Sequence, residues 1–159
     1  MAIDTHIKFD GVDGESTHKD HKGEIEVLSW LWGVSNASSV ASGSGSGKGK
    51  AVPGAFHFTH NYDKASPVLA KQCAQGKHFK QVVVTARKSG EGQKDFFKTT
   101  MKEVFISSVQ PSGNQDGDIL ESVSMTYGEI EFAYKAQDEK GGLGGEVKFA
   151  WNVRTTVIT

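Results

Sequence analysis

The run from Glu24 to Gly33, EIEVLSWLWG, constrains the fold more than any other stretch of the chain. Read as a strand, it points Ile25, Val27 and Leu31 to one side and Leu28, Trp30 and Trp32 to the other. Both faces are then apolar. A solvated antiparallel strand keeps one polar face, so this run is either buried between two layers or packed on a core and against another chain. Each tryptophan offers roughly 150 to 250 Å² for burial, on the order of 4 to 6 kcal/mol as an upper bound. Trp30 and Trp32 are therefore core or interface anchors, as is Trp151 near the other end of the sequence.

The rest of the chain supplies strands and turns around that run. Nineteen glycines against three prolines, with strand-like runs between them, favour many turns in an all-β protein. Ile3, Thr5, Ile7 and Phe9 alternate with Asp4, His6 and Lys8 as in a half-buried strand. Phe56, Phe58 and His60 share a face of a short strand, which points His57 the other way. Phe79 to Lys88, carrying Val82, Val83 and Val84, and the span from Asp95 to Val109 read as further strands, closed by a turn cluster over Gln110 to Gly117. From Ser122 to Lys135 the alternation changes phase at Gly128, where a bulge or bend is expected. Val147, Phe149, Trp151 and Val153 complete the set with a period of two.

One helix stands out, over about residues 66–75: Ser66 as N-cap, Pro67 at the first helical position and Gly76 as the left-handed stop. Val68, Leu69 and Cys73 would form its packed side. The pattern predicts one domain, residues 1–159, of mainly β class: an antiparallel β-barrel of two packed sheets, one flanking α-helix and a long Gly/Ser-rich loop over residues 34–54.

That loop, VSNASSVASGSGSGKGKAVPG, buries too little apolar surface to offset its ordering entropy and reads as a flexible loop or contact arm. The phosphate-loop reading of Gly47 and Lys48 fails, because Gly49 stands where Ser or Thr is required and Ser42 where a glycine is. The acidic cluster Asp10, Asp13 and Glu15 lacks calcium-loop spacing. The six histidines show no convergent ligand set, and Cys73 has no local base, so neither a metal, a cofactor nor a catalytic residue is expected. Eighteen basic against nineteen acidic residues, a net charge of -1, argue against nucleic acid as a partner. The opening MAIDTHIKFD lacks a basic segment followed by an apolar one, so no signal segment is expected, and no run reaches the roughly 18 apolar residues of a membrane span.

Three blocks carry a resemblance. The first is GES, His21 and then EIEVLSWLWG; the second is FHFTHNYDKASPVL from Phe56 to Leu69 with GKHF at Gly76 to Phe79; the third is KFAWNVRTT from Lys148 to Thr156. Together they resemble the Hcp (haemolysin-coregulated protein) family of type VI secretion tube proteins, with the Gly/Ser loop in the place of the family's variable region. The resemblance implies a protomer that closes into a homo-hexameric ring, rings that stack into a tube, a sheath that ejects it, a spike protein at its tip and effector proteins in its lumen. It implies secretion through that machine without a signal peptide, from a cytoplasmic pool, with no stable membrane insertion and no enzymatic activity. An inter-ring contact arm is then expected from Ser42, Gly43, Ser44, Gly45, Ser46, Gly47, Lys48, Gly49, Lys50 and Pro53, with the lysines meeting loops that hold Asp10, Asp13, Asp116 or Asp118. Leu31 is the candidate for the lumen wall or the joint between protomers; the alternative is that it fills the core. A stand-alone ligand-binding barrel is the second functional reading.

Overall fold

The computed structural model describes residues 2–37, 50–140 and 142–159, so residues 42–49 of the expected contact arm lie outside it. Its strands are β1 (Ile3–Phe9), β2 (Ile25–Val27), β3 (Ser29–Leu31), β4 (Val34–Asn36), β5 (Ala51–Pro53), β6 (Phe56–Asn61), β7 (Phe79–Lys88), β8 (Phe97–Ser112), β9 (Leu120–Thr126), β10 (Glu129–Gln137), β11 (Leu143–Asn152) and β12 (Val157–Ile158). Helix α1 (Ser66–Gln75), the one helix among the described residues, lies between β6 and β7 and packs on β8. All ladders are antiparallel. One sheet runs β12-β11-β10-β8-β7-β1-β2, and a second runs β3-β6-β9 and joins the far half of β8. The two sheets pack on a shared core, but the hydrogen-bond ladder does not close into a complete barrel.

Two corners pass the chain between the sheets. The first divides the Glu24 to Gly33 run, which is not one strand: β2 pairs with β1, β3 pairs with β6, and Leu28 between them donates its N–H to Thr59 O at 2.8 Å. Changing sheets resets the alternation, which is why Ile25 is buried while Leu28 and Leu31 are both exposed. The second corner is Gly128, where β9 ends in one sheet and β10 starts in the other. The phase change in the sequence marks this break. The strand β8 spans both sheets, pairing with β7 and β10 first and with β9 afterwards.

The core is aromatic and aliphatic. Phe9, Phe56, Phe58, Met101, Ile106, Met125 and Ile130 are fully enclosed. Trp30 stacks between Phe56 and Phe97, with ring centroids 5.7 and 5.0 Å away. Trp32 meets Phe132 at 4.7 Å, and its Nε1 donates to the Tyr127 hydroxyl at 2.6 Å, which donates in turn to Gly54 O at 2.7 Å. Trp151 is buried against Phe149.

Three local expectations change. Ala65, not Ser66, stands at the N-cap and no side chain caps the helix: Ser66 is already the first helical residue, and Asp63 Oδ1 accepts the Ala65 N–H at 2.9 Å in the turn before it. Gly76 does end the helix, at φ +66°. Gln110 to Ser112 remain in β8 and do not turn, because Pro111 pairs with Glu121 on one side only and its missing N–H leaves no central ladder bond broken. The ends of the Gly/Ser stretch are ordered: Val34, Ser35 and Asn36 pair with Pro53, Val52 and Ala51. Gly54 locks that hairpin at its root, donating to Gly33 O at 2.8 Å, and a Cβ there would lie 2.7 Å from the same oxygen. Among the described residues no helix is long and apolar enough to cross a membrane.

Candidate assembly surfaces and buried polar clusters

The hairpin β10–β11 is longer than the core it covers. Its core-facing row starts at Ile130 and Trp151, both buried, passes through half-buried Phe132 and Phe149, and ends at Tyr134 and Val147, directly paired across the strands. Tyr134 is 48% and Val147 70% exposed. The apolar row thus continues past the core, with Tyr134 met edge-on by Phe96 at 6.2 Å and Val147 largely open to solvent. Val157 and Ile158 on β12, the last strand of that sheet, are exposed as well.

A second exposed apolar group surrounds Leu31. Leu31 is 66% exposed and does not fill the core. With Val34, Val52, Gly54 and His57 it borders a cleft of about 370 Å³ at the root of the β4–β5 hairpin. The register sets Leu31, His57, Ser124 and Ser108 in one row across four strands, and Ser29, Thr59, Ser122 and Gln110 in the next. These two rows carry no lysine, arginine, aspartate or glutamate. Ser29 and Thr59 hydrogen-bond through their hydroxyls, and His57 Nδ1 meets Ser124 Oγ at 2.6 Å.

Of the other residues singled out by sequence, Lys50 is exposed just before β5, and Pro53 is half-buried in it. Trp32 packs against the core from the same segment as Leu31, Trp30 stacks on Phe56 yet stays 37% exposed, and Trp151 belongs to β11. Leu31, Val34, Val52 and Pro53 are thus brought together, and Trp151 is not part of that surface.

Two buried polar clusters are absent from any local sequence pattern. In the first, His60 and Glu121 face each other on β6 and β9 at 0% and 1% exposure, with Nε2 and Oε1 2.8 Å apart. The Asp63 carboxylate is 3.8 Å from His60 Nδ1, and burial pushes its carboxyl above the usual range against the opposing charge of His60. The only hint is phase: His60 follows Phe56 and Phe58, and Glu121 precedes Val123 and Met125, on the inward side.

The second cluster covers the outer side of β1 and β7. His21 is wedged between Glu24 at 2.8 Å and Asp95 at 3.1 Å. Arg87 donates from Nε to Asp95 at 2.7 Å and from Nη1 to Asp20 at 2.8 Å. Burial pushes the Asp95 carboxyl up, yet the hydrogen bonds from Arg87 and His21 outweigh it and hold it below the ordinary value. His6 stacks on His21 at 4.8 Å and is flanked by His18 at 5.2 Å. Burial, then the charges of His21 and His18, lower its pKa to about 4. Between the ordinary 6.5 and about 4, the unfolded chain therefore binds a proton at His6 that the folded chain refuses. Stability contributed by neutral His6 is lost as the pH falls through that interval and the loss levels off below it. Urea unfolding at the two ends of the interval should show a larger drop for the native sequence than for His6→Phe, which keeps a stacked ring; equal drops would refute this assignment.

Among the described residues no group of three or more His, Cys, Asp or Glu side chains is arranged to hold a metal ion.

The sequence pattern of the family described as "Type VI secretion system effector, Hcp" matches residues 6–134. The chain is 41% identical over 160 residues to "Protein hcp1" of Pseudomonas aeruginosa, covering 99% of each. It superposes with a TM-score of 0.93 and 34% identity on a structure titled as a type six secretion system protein, covering 99% of this chain and 100% of that one. Hcp1 from Salmonella typhimurium gives a TM-score of 0.83 at 34% identity, with both chains fully covered. Sequence and backbone course agree over nearly the whole length, and the chain belongs to the Hcp family of type VI secretion system proteins.

Proposed function

We propose that this chain is the building block of the inner tube of a type VI secretion system. Copies close head to tail into a hexameric ring, rings stack into a tube, a contracting sheath ejects it with a spike protein at its tip, and effector proteins ride in the lumen. The protein is made in the cytoplasm and leaves through the machine, acting as a structural part and not as an enzyme. The observation that carries this reading is the exposed end of the β10–β11 hairpin, where half-exposed Tyr134 and largely exposed Val147 continue a core-facing row outward. A second copy that places a different surface against that row gives a heterologous contact, and such contacts close into rings when the rotation permits. The exposed group at Leu31, Val34 and Val52 is suited to be that second surface or to face the lumen.

Charge on the projecting row tests this directly. Val147→Glu should leave the protomer folded, because the side chain lies outside the core, and should convert rings to monomers on a sizing column. Rings that survive unchanged would remove the hairpin from the interface. Leu31→Gln should likewise spare folding, and should weaken cargo retention or ring closure; a variant with native assembly and native cargo retention would show that Leu31 serves neither. A stand-alone ligand-binding barrel, the competing reading, would remain monomeric and would not respond to Val147→Glu.

A further inference from the structure

On the outer face of the larger sheet, β7, β8, β10 and the end of β11 border a cleft of about 580 Å³. Its walls use backbone conformations that side-chain-bearing residues avoid. Glu103 lines it at φ +53°, and Thr156, directly after the lining residue Thr155, has φ +62°; among the described residues these are the two non-glycines with positive φ. Such positions cost on the order of 1 to 3 kcal/mol each and persist where the surroundings fix them, often at ligand sites.

Gly128 lies between them. Its N–H is shared between Lys102 O at 3.0 Å and Glu103 O at 3.2 Å, and its carbonyl accepts the Val153 N–H at 2.8 Å. A Cβ at this position would sit 3.2 Å from Arg154 Nε and 3.3 Å from Glu103 Cβ, so the bare backbone is what lets the guanidinium group lie close. Asn152 fixes the rest: its Nδ2 donates to Glu129 Oε1 at 2.7 Å, and its Oδ1 accepts the Thr155 N–H at 3.0 Å, closing the turn that carries Arg154.

Three cations line the cleft, Lys80, Lys102 and Arg154, and none has a hydrogen bond or ion pair among the described residues. Arg87 of the same sheet, by contrast, is saturated by Asp20 and Asp95. Glu103 and Glu129 offset two of the three charges, leaving an excess of one positive charge. A guanidinium fork with two ammonium groups around it matches the oxygens of a phosphate or carboxylate group. The small excess charge suits a mono- or dianion, not a polyphosphate. The volume is in the range of about 300 to 1,000 Å³ typical of small-ligand sites. No aromatic side chain lines the cleft, so nothing there offers a stacking platform for a base.

We propose that this cleft binds a small non-aromatic oxyanion, a phosphate monoester or a carboxylate, with Arg154 as the principal contact and Lys102 and Lys80 beside it. The assignment does not depend on ring formation. It is tested by calorimetric titration of the full chain with inorganic phosphate and, separately, succinate. Saturable binding of at least one anion, at one site per protomer, is expected; tighter binding of phosphate would assign a phosphate ester and tighter binding of succinate a carboxylate. Arg154→Gln should weaken that binding at least tenfold and Lys102→Gln several-fold. Lys98→Gln, which removes an exposed lysine about 13 Å along the same face of β8, should leave it unchanged. Absence of saturable heat with either anion, or an equal loss in Lys98→Gln, would overturn the proposal. All three side chains are exposed, so the variants should retain the native circular dichroism spectrum.

Discussion

Glu121→Ala should cost about 3 to 5 kcal/mol of folding stability, the largest loss expected from any single charged side chain here. The reason is that the substitution leaves His60 enclosed at 0% exposure with its 2.8 Å partner gone. Asp63 does not replace that bond, because its nearest oxygen, Oδ2, faces the other ring nitrogen, Nδ1, from 3.8 Å. His60 Nδ1 already lacks a hydrogen-bond partner, so the ring would have none on either side. Replacing both partners by apolar residues of similar volume, His60→Leu with Glu121→Met, should recover most of the loss, because the desolvation of the pair is then no longer required. Urea unfolding of the native chain, the single variant and the double variant checks this. A loss below about 1 kcal/mol in Glu121→Ala would mean that the pair contributes as an exposed one does.

Shortening the Gly/Ser arm should abolish tubes while leaving rings. Residues 38–49 can be replaced by a two-residue Asn-Gly turn without touching the Val34–Pro53, Ser35–Val52 and Asn36–Ala51 pairs that close the hairpin base. The proposed role of the arm is to reach the next ring, where Lys48 and Lys50 meet acidic loops. Asp10, Asp116 and Asp118 are exposed, and no ion pair within the protomer engages them among the described residues; Asp13 is exposed too, 3.5 Å from Lys8. One exposed ion pair contributes only about 0 to 1 kcal/mol, but a ring repeats each contact around its circumference, so the stacking energy is a multiple of a weak term. Electron microscopy of the shortened protein should show single rings at concentrations where the native protein stacks. Tubes of unchanged length would remove the arm from ring stacking.

Elements whose signal is local are legible in the sequence. The alternation in Ile3 to Phe9 and Phe56 to Asn61 gives β1 and β6, and Pro67 and Gly76 bracket α1. Features that depend on tertiary pairing are not. Nothing within EIEVLSWLWG says that β2 will bond to β1 and β3 to β6, so the sheet change at Leu28 cannot be read from spacing. The His60–Glu121 pair spans 61 positions and becomes visible only when the β6–β9 register is known. Arg87 on β7 and Asp95 just before β8 are likewise brought to His21 only by the fold, far from it in sequence. The proposed assembly surface is half legible: Leu31 and its neighbours stand out by hydrophobicity, whereas the overhang of Tyr134 and Val147 depends on how far β10–β11 extends past the core.

Whether this protomer is the unit of a tube is decided by the mass of the purified protein in solution, from light scattering on a sizing column, with electron microscopy of the same peak. A species near six protomer masses with an open centre is expected. A protein that stays monomeric at high concentration would contradict ring formation by the chain alone and would favour a ligand-binding barrel on the same fold.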